Sequence, residues 1–164
     1  MSGHGLGRLL QYPKVPIGFA GHGLGPLVFL NHELAAVENE MNAPKKDLDW
    51  GNLGFSYIET ELRFSARWRD GVWSEGELVA SAEMPVHEGS TVLHYAQSCF
   101  EGLKAQTAVN GDILLFRPDL NCARMGRTTQ RLLMPQVPEA LFMRGIQETV
   151  RANAAWVPPY GSGA

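Results

Sequence analysis

The stretch from Gly102 to Pro118 limits the fold more than any other part of the sequence. Asn110-Gly111 sits between two runs of strand-forming residues, Gly102 to Val109 and Asp112 to Phe116. Both residue types accept the positive φ angles that a tight hairpin turn demands. The second run ends at Arg117-Pro118. Proline suits the first turn of a helix, because the N–H it lacks would have no partner there. An antiparallel hairpin that passes directly into a helix is therefore expected, with the changeover at Arg117.

A second hairpin is expected upstream. From Ser56 the residues alternate, with Ile58, Thr60, Leu62, Phe64 and Ala66 on one side and Tyr57, Glu59, Glu61, Arg63, Ser65 and Arg67 on the other. A period of two rich in β-formers predicts a half-buried strand. Asp70-Gly71 supplies the turn and Val72-Trp73 the return. After the central hairpin, a helix is expected over 118–133, with Leu120, Ala123 and the Leu132-Leu133 pair inward and Arg124, Arg127 and Arg131 outward. A second helix starts near Pro138 and carries an apolar stripe of Leu141, Phe142, Ile146, Val150 and Ala154. Two hairpins and two amphipathic helices point to an α+β fold, a two-layer sandwich of an antiparallel sheet with helices packed on it.

Residues 1–46 differ from the rest. The tetrapeptide His-Gly-Leu-Gly occurs at His4 to Gly7 and again at His22 to Gly25. Neither copy is followed by Lys-Ser or Lys-Thr, and neither matches a G-x-G-x-x-G between strand and helix, so a nucleotide loop is not favoured. No cysteine or acid stands at ligand spacing from these histidines, so no metal site is expected. The segment reads as a flexible, glycine-rich extension with one short helix between Leu27 and Asn39. Met41, just before the compositional shift at Asn42 to Lys46, is a candidate translation start. An ordered domain is then expected over 47–157, and residues 158–164 read as the start of a linker.

With 164 residues, 45% hydrophobic and 19% charged, the chain can bury one core. A net charge of -3 gives no reason to expect nucleic acid or an anionic membrane as partner. Cys99 and Cys122 form no C-x-x-C pair, which argues against a zinc site or disulfide scaffold and for reduced thiols in the cytoplasm. No run approaches the roughly 18 apolar residues of a membrane helix, and the reading is of a soluble protein.

Among residues that carry chemistry, Arg117 stands where a guanidinium can grip a phosphate bidentately beside a helix N-terminus. The alternative is a surface arginine paired with Asp119 or Glu101. Tyr95 and Phe100 can wall an apolar pocket, or pack in the core as aromatics commonly do. His87 and His94 lie in no triad-like or metal-like cluster, and no G-x-S-x-G nucleophile is present.

From Asp47 onward the sequence resembles the first, smaller domain of branched-chain amino acid aminotransferases, pyridoxal 5'-phosphate enzymes of the fold type IV group. The matching stretches are Asp47-Leu48-Asp49-Trp50, His87-Glu88-Gly89-Ser90, Leu93-His94-Tyr95, Phe100-Glu101-Gly102-Leu103-Lys104-Ala105, Leu115-Phe116-Arg117-Pro118 and Trp156-Val157-Pro158-Pro159-Tyr160-Gly161. The resemblance implies that Arg117 binds the cofactor phosphate and that Tyr95 and Phe100 line the pocket for a branched side chain. It implies a cytoplasmic homodimer that passes amino groups from Leu, Ile or Val to 2-oxoglutarate. The family's Schiff-base lysine lies in a second, larger domain and matches none of Lys14, Lys45, Lys46 and Lys104, so no catalytic residue is expected here and the chain alone is expected to be inactive. Other readings are a D-amino acid aminotransferase or aminodeoxychorismate lyase of the same group, or a non-catalytic binding or dimerisation module.

Overall fold

A computed structural model of the chain describes residues 44–54 and 56–162. The expected extension apart from its last three residues, the helix between Leu27 and Asn39, and Met41 all lie outside the described residues. The elements run β1 (Arg63–Ser65), β2 (Trp68–Arg69), β3 (Val72–Trp73), β4 (Glu77–Val79), α1 (Thr91–Tyr95), β5 (Ala105–Thr107), β6 (Ile113–Leu115), α2 (Pro118–Arg131) and α3 (Glu139–Ala152). Single 3-10 turns occupy Trp50–Asn52 and Ala154–Trp156.

The fold is α+β with antiparallel strands, as the sequence implies. The strands form three two-stranded ladders, β1 with β4, β2 with β3, and β5 with β6. Strand and helix layers face each other across a cleft of about 510 Å3, lined by Phe64, Trp73, Ala105 and Leu115 from the strands and by Met125, Leu141, Phe142, Ile146 and Val150 from the helices. Among the described residues, Ile113, Ala154 and Val157 form the buried apolar core, with Ala105 and Val150 packed against it.

The hairpin turns differ in detail. Asp70 and Gly71 both take positive φ, 51° and 85°, and bring Trp68 opposite Trp73 with ring centroids 5.7 Å apart. At the central hairpin only Gly111 does so, at 91°. Here the Ala108 N–H donates to the Asp112 carbonyl at 2.7 Å and the Gly111 N–H to the Ala108 carbonyl at 3.0 Å, which makes a wider loop than the expected two-residue turn. The strand expected from Ser56 shrinks to Arg63–Ser65. It pairs with β4, which is only three residues long, so the preceding residues find no ladder and stay exposed.

The inward face of α2 also departs from expectation. Pro118 is fully buried and Thr129 nearly so, while Leu120 is 55% and Leu133 90% exposed. At 3.6 residues per turn, Cys122, Met125 and Thr129 fall within about 40° of Pro118, whereas Leu120 and Ala123 lie roughly 200° and 140° away. The buried proline ring sets the orientation and turns those two residues outward. Leu132 and Leu133 fall beyond the last helical turn, where Leu133 adopts a left-handed φ of 53°. Thr129 satisfies its hydroxyl by donating to the carbonyls of Met125 and Gly126, at 3.1 and 3.0 Å.

The end of α3 is closed by Asn153, which is 8% exposed. Its Nδ2 donates to the Leu62 and Thr149 carbonyls at 2.7 and 2.8 Å, and its Oδ1 accepts the Leu62 N–H at 3.2 Å. One side-chain amide thus completes the backbone bonding of the residue that leads into β1. Nearby, Thr107 Oγ1 donates to the Pro158 carbonyl at 2.7 Å and Lys45 Nζ to the Ala154 carbonyl at 3.0 Å.

Candidate functional site

The junction of β6 and α2 places Arg117. Its backbone is left-handed, at φ 47° and ψ 52°, a conformation that non-glycine residues adopt at a cost of order 1–3 kcal/mol when the surroundings enforce it. Enforcement comes from both neighbours. β6 is held by β5, and the Pro118 ring is buried. The reversal presents an Arg117 side chain that stays half exposed.

Arg117 Nε and Nη2 grip both oxygens of Asp119, at 2.7 to 3.2 Å. The pairing foreseen as one alternative is therefore present, while Glu101 goes elsewhere. It does not saturate the guanidinium, which has five N–H donors and keeps its Nη1 edge free of partners among the described residues. Hydrogen bonding and charge from Asp119 raise the Arg117 pKa further, so the cation persists at any ordinary pH. A fixed guanidinium edge next to the start of a 14-residue helix suits a phosphate or carboxylate.

Glu101 supplies a second polar centre. Its side chain is 6% exposed, against 59% for its partner Arg124. Arg124 Nε donates to Oε2 at 2.8 Å, Arg124 Nη2 and Asn121 Nδ2 both donate to Oε1, the latter at 2.8 Å, and Asn121 Nδ2 also reaches the Gly102 carbonyl at 2.9 Å. The hydrogen bonds from Arg124 and then Asn121 hold the Glu101 carboxyl down at about 2. Arg124, expected on a solvated helix face, instead binds a largely buried carboxylate. The signal in the sequence was Asn121 and Arg124 three residues apart, hence on one helical face, downstream of an isolated acid.

Phe100 and Phe116, next to these charges in sequence, stand in solvent, and so does Tyr95. Tyr95 is 82%, Phe100 90% and Phe116 86% exposed. Tyr95 ends α1, a one-turn helix that was not foreseen, closed by Ala96 in a left-handed conformation at φ 50°. A Cβ at Gly102 would meet the Phe100 ring at 3.5 Å, so that ring lies beside the backbone that Asn121 binds. Tyr95 and Phe100 are therefore not core, and among the described residues they line no enclosed pocket. The histidines are bound locally. His94 Nε2 contacts the Glu88 carbonyl at 2.6 Å, and His87 Nδ1 accepts the Gly89 N–H at 3.0 Å. No group of three metal-ligating side chains occurs among the described residues, and no helix among them is long and apolar enough to cross a membrane.

No family model matches the chain. It is 60% identical over 119 residues, 73% of its length, to a branched-chain-amino-acid aminotransferase of Haemophilus influenzae, and 52% identical over the same share to one of Helicobacter pylori. A mitochondrial branched-chain-amino-acid aminotransferase of Arabidopsis thaliana is 34% identical over 148 residues, 90% of this chain. The chain spans 35 to 38% of the length of these relatives, about a third. Identity at this level over most of the sequence makes the chain homologous to that part of these enzymes.

Proposed function

We infer that this chain is part of a branched-chain-amino-acid aminotransferase, the part that grips the phosphate of pyridoxal 5'-phosphate and offers an apolar wall to the substrate. The Nη1 edge of Arg117, without a partner among the described residues and held by Asp119 beside the α2 N-terminus, is the observation that supports it most. The remaining Arg117 donors suit a phosphate oxygen, with the Asp119 carboxylate sharing the guanidinium or giving way to it. The cofactor, when bound, supplies the electron sink for moving an amino group.

The chain's own residues bind and exclude. Tyr95 and Phe100 would face the branched side chain, gaining roughly 0.8 kcal/mol for each CH₂ they remove from water, which favours Leu, Ile and Val over charged amino acids. 2-Oxoglutarate would be the amino acceptor. The exposed apolar side chains around Phe100 and Phe116 suit burial against the remainder of such an enzyme and against a second subunit in a cytoplasmic homodimer. Lys45 and Lys46 are engaged by Ala154 and by Glu61, and Lys104 stands exposed beside β5. None of the three carries the chemistry in this reading.

Purifying the complete aminotransferase that contains this sequence and profiling its amino donors tests the proposal. Leu, Ile and Val should be converted with 2-oxoglutarate, whereas preference for D-amino acids or release of aminobenzoate would overturn it.

A further inference from the structure

We propose that Glu101 is a positioning residue: with Asn121 and Arg124 it clamps the segment carrying Phe100 to the first turns of α2, so that substrate wall and phosphate grip are held in one frame. The inference rests on the roles of Phe100 and Arg117 proposed above. Three observations carry it.

Burial within the clamp is one-sided. The Glu101 side chain is 6% exposed and that of Arg124 59%. A carboxylate removed from water needs its acceptor sites filled, and Asn121 and Arg124 fill them. Because Arg124 is largely exposed, water screens the pair and its net contribution to stability is small. What the charged arrangement adds is direction.

The clamp also reaches exactly two backbone stretches. Asn121 bonds both the Glu101 carboxylate and the Gly102 carbonyl, so one side chain fixes the residues directly after Phe100. Asn121 and Arg124 stand four and seven residues beyond Arg117, on the helix whose first residue is the buried Pro118. A shift of the Phe100 segment is therefore transmitted to the helix that carries the anion grip, and the reverse.

Finally, few other hydrogen bonds hold that segment among the described residues. Between Ala96 and β5 they are from the Gln97 backbone N–H to the Thr91 carbonyl at 3.4 Å and from Gln97 Nε2 to the Leu132 carbonyl at 2.7 Å, with Leu103 half-buried in the cleft. Phe100 itself is 90% exposed and cannot anchor by burial.

Two measurements test this. In the complete protein that contains this sequence, chymotryptic cleavage after Phe100 is compared with cleavage after Tyr160, which lies in an exposed turn away from the clamp in sequence. Glu101→Gln and Arg124→Gln should each raise the Phe100 to Tyr160 cleavage ratio at least tenfold. In the complete aminotransferase, the same substitutions should raise the KM for leucine about tenfold while kcat changes less than threefold. An unchanged cleavage ratio in Arg124→Gln overturns the clamp, and that variant decides the matter even where Glu101→Gln fails to fold, since Arg124 is largely exposed. A raised ratio with an unchanged KM overturns the positioning role. A raised ratio in a complete protein that does not transaminate leucine supports the clamp and defeats the aminotransferase reading.

Discussion

The turn around Asn153 and the junction around Arg117 are built from similar parts, yet one is sealed and the other open. At Asn153 a polar side chain completes the bonding of Leu62, and its neighbours Ala154 and Val157 are buried with Ile113. At Arg117 the polar groups pair through Asp119 and through Glu101 with Arg124, but Arg117 Nη1 has no partner among the described residues and the apolar neighbours Phe100 and Phe116 face solvent. Stability comes chiefly from apolar burial, so the first region holds the fold and the second holds a shape.

The sharpest way to break this contrast is to empty the sealed side. Ile113→Ala should cost about 2–4 kcal/mol in urea unfolding, because a fully buried side chain leaves a cavity. Asn153→Ala should follow at about 1–3 kcal/mol, since it strands the N–H of Leu62 and removes the shorter of two bonds to its carbonyl.

On the open side the expected effects are smaller and different in kind. The Glu101 carboxyl lies at about 2 when folded, against an ordinary 4.5. Because its pKa is depressed by folding, the unfolded chain takes up the proton first. Its contribution is therefore fully present above about pH 4.5 and is lost as pH falls toward 2. Urea midpoints at pH 5 and pH 3 should differ more in the wild type than in Glu101→Gln. Phe100→Ala and Phe116→Ala should change stability by no more than about 0.5 kcal/mol, while lowering the binding of an apolar fluorescent dye. A loss as large as that of Ile113→Ala would erase the distinction between the two regions.

The sequence was most legible where local chemistry decides. Asp70-Gly71 and Pro118 are placed by the backbone angles that their own residues favour, and the β2–β3 hairpin and the start of α2 follow from them. It was least legible where a distant partner decides. The alternation from Ser56 reads as a long strand, but β4 offers only three partners. Leu120 looks like core until the burial of Pro118 fixes the rotation of α2. α1 is one turn long and too short to show a period, and Arg124 looks solvated until Glu101 is brought to it. Of the candidate site, the position of Arg117 at the strand-to-helix changeover was readable from Pro118 alone, whereas its hold on Asp119 was one of two open pairings.

The central claim is that Arg117 presents a fixed cationic edge to a phosphate, and cofactor affinity tests it most directly. Pyridoxal 5'-phosphate should bind the Arg117→Gln variant of the complete aminotransferase at least tenfold more weakly than the unaltered protein, measured by equilibrium titration of the cofactor's absorbance. An unchanged Kd would contradict the account.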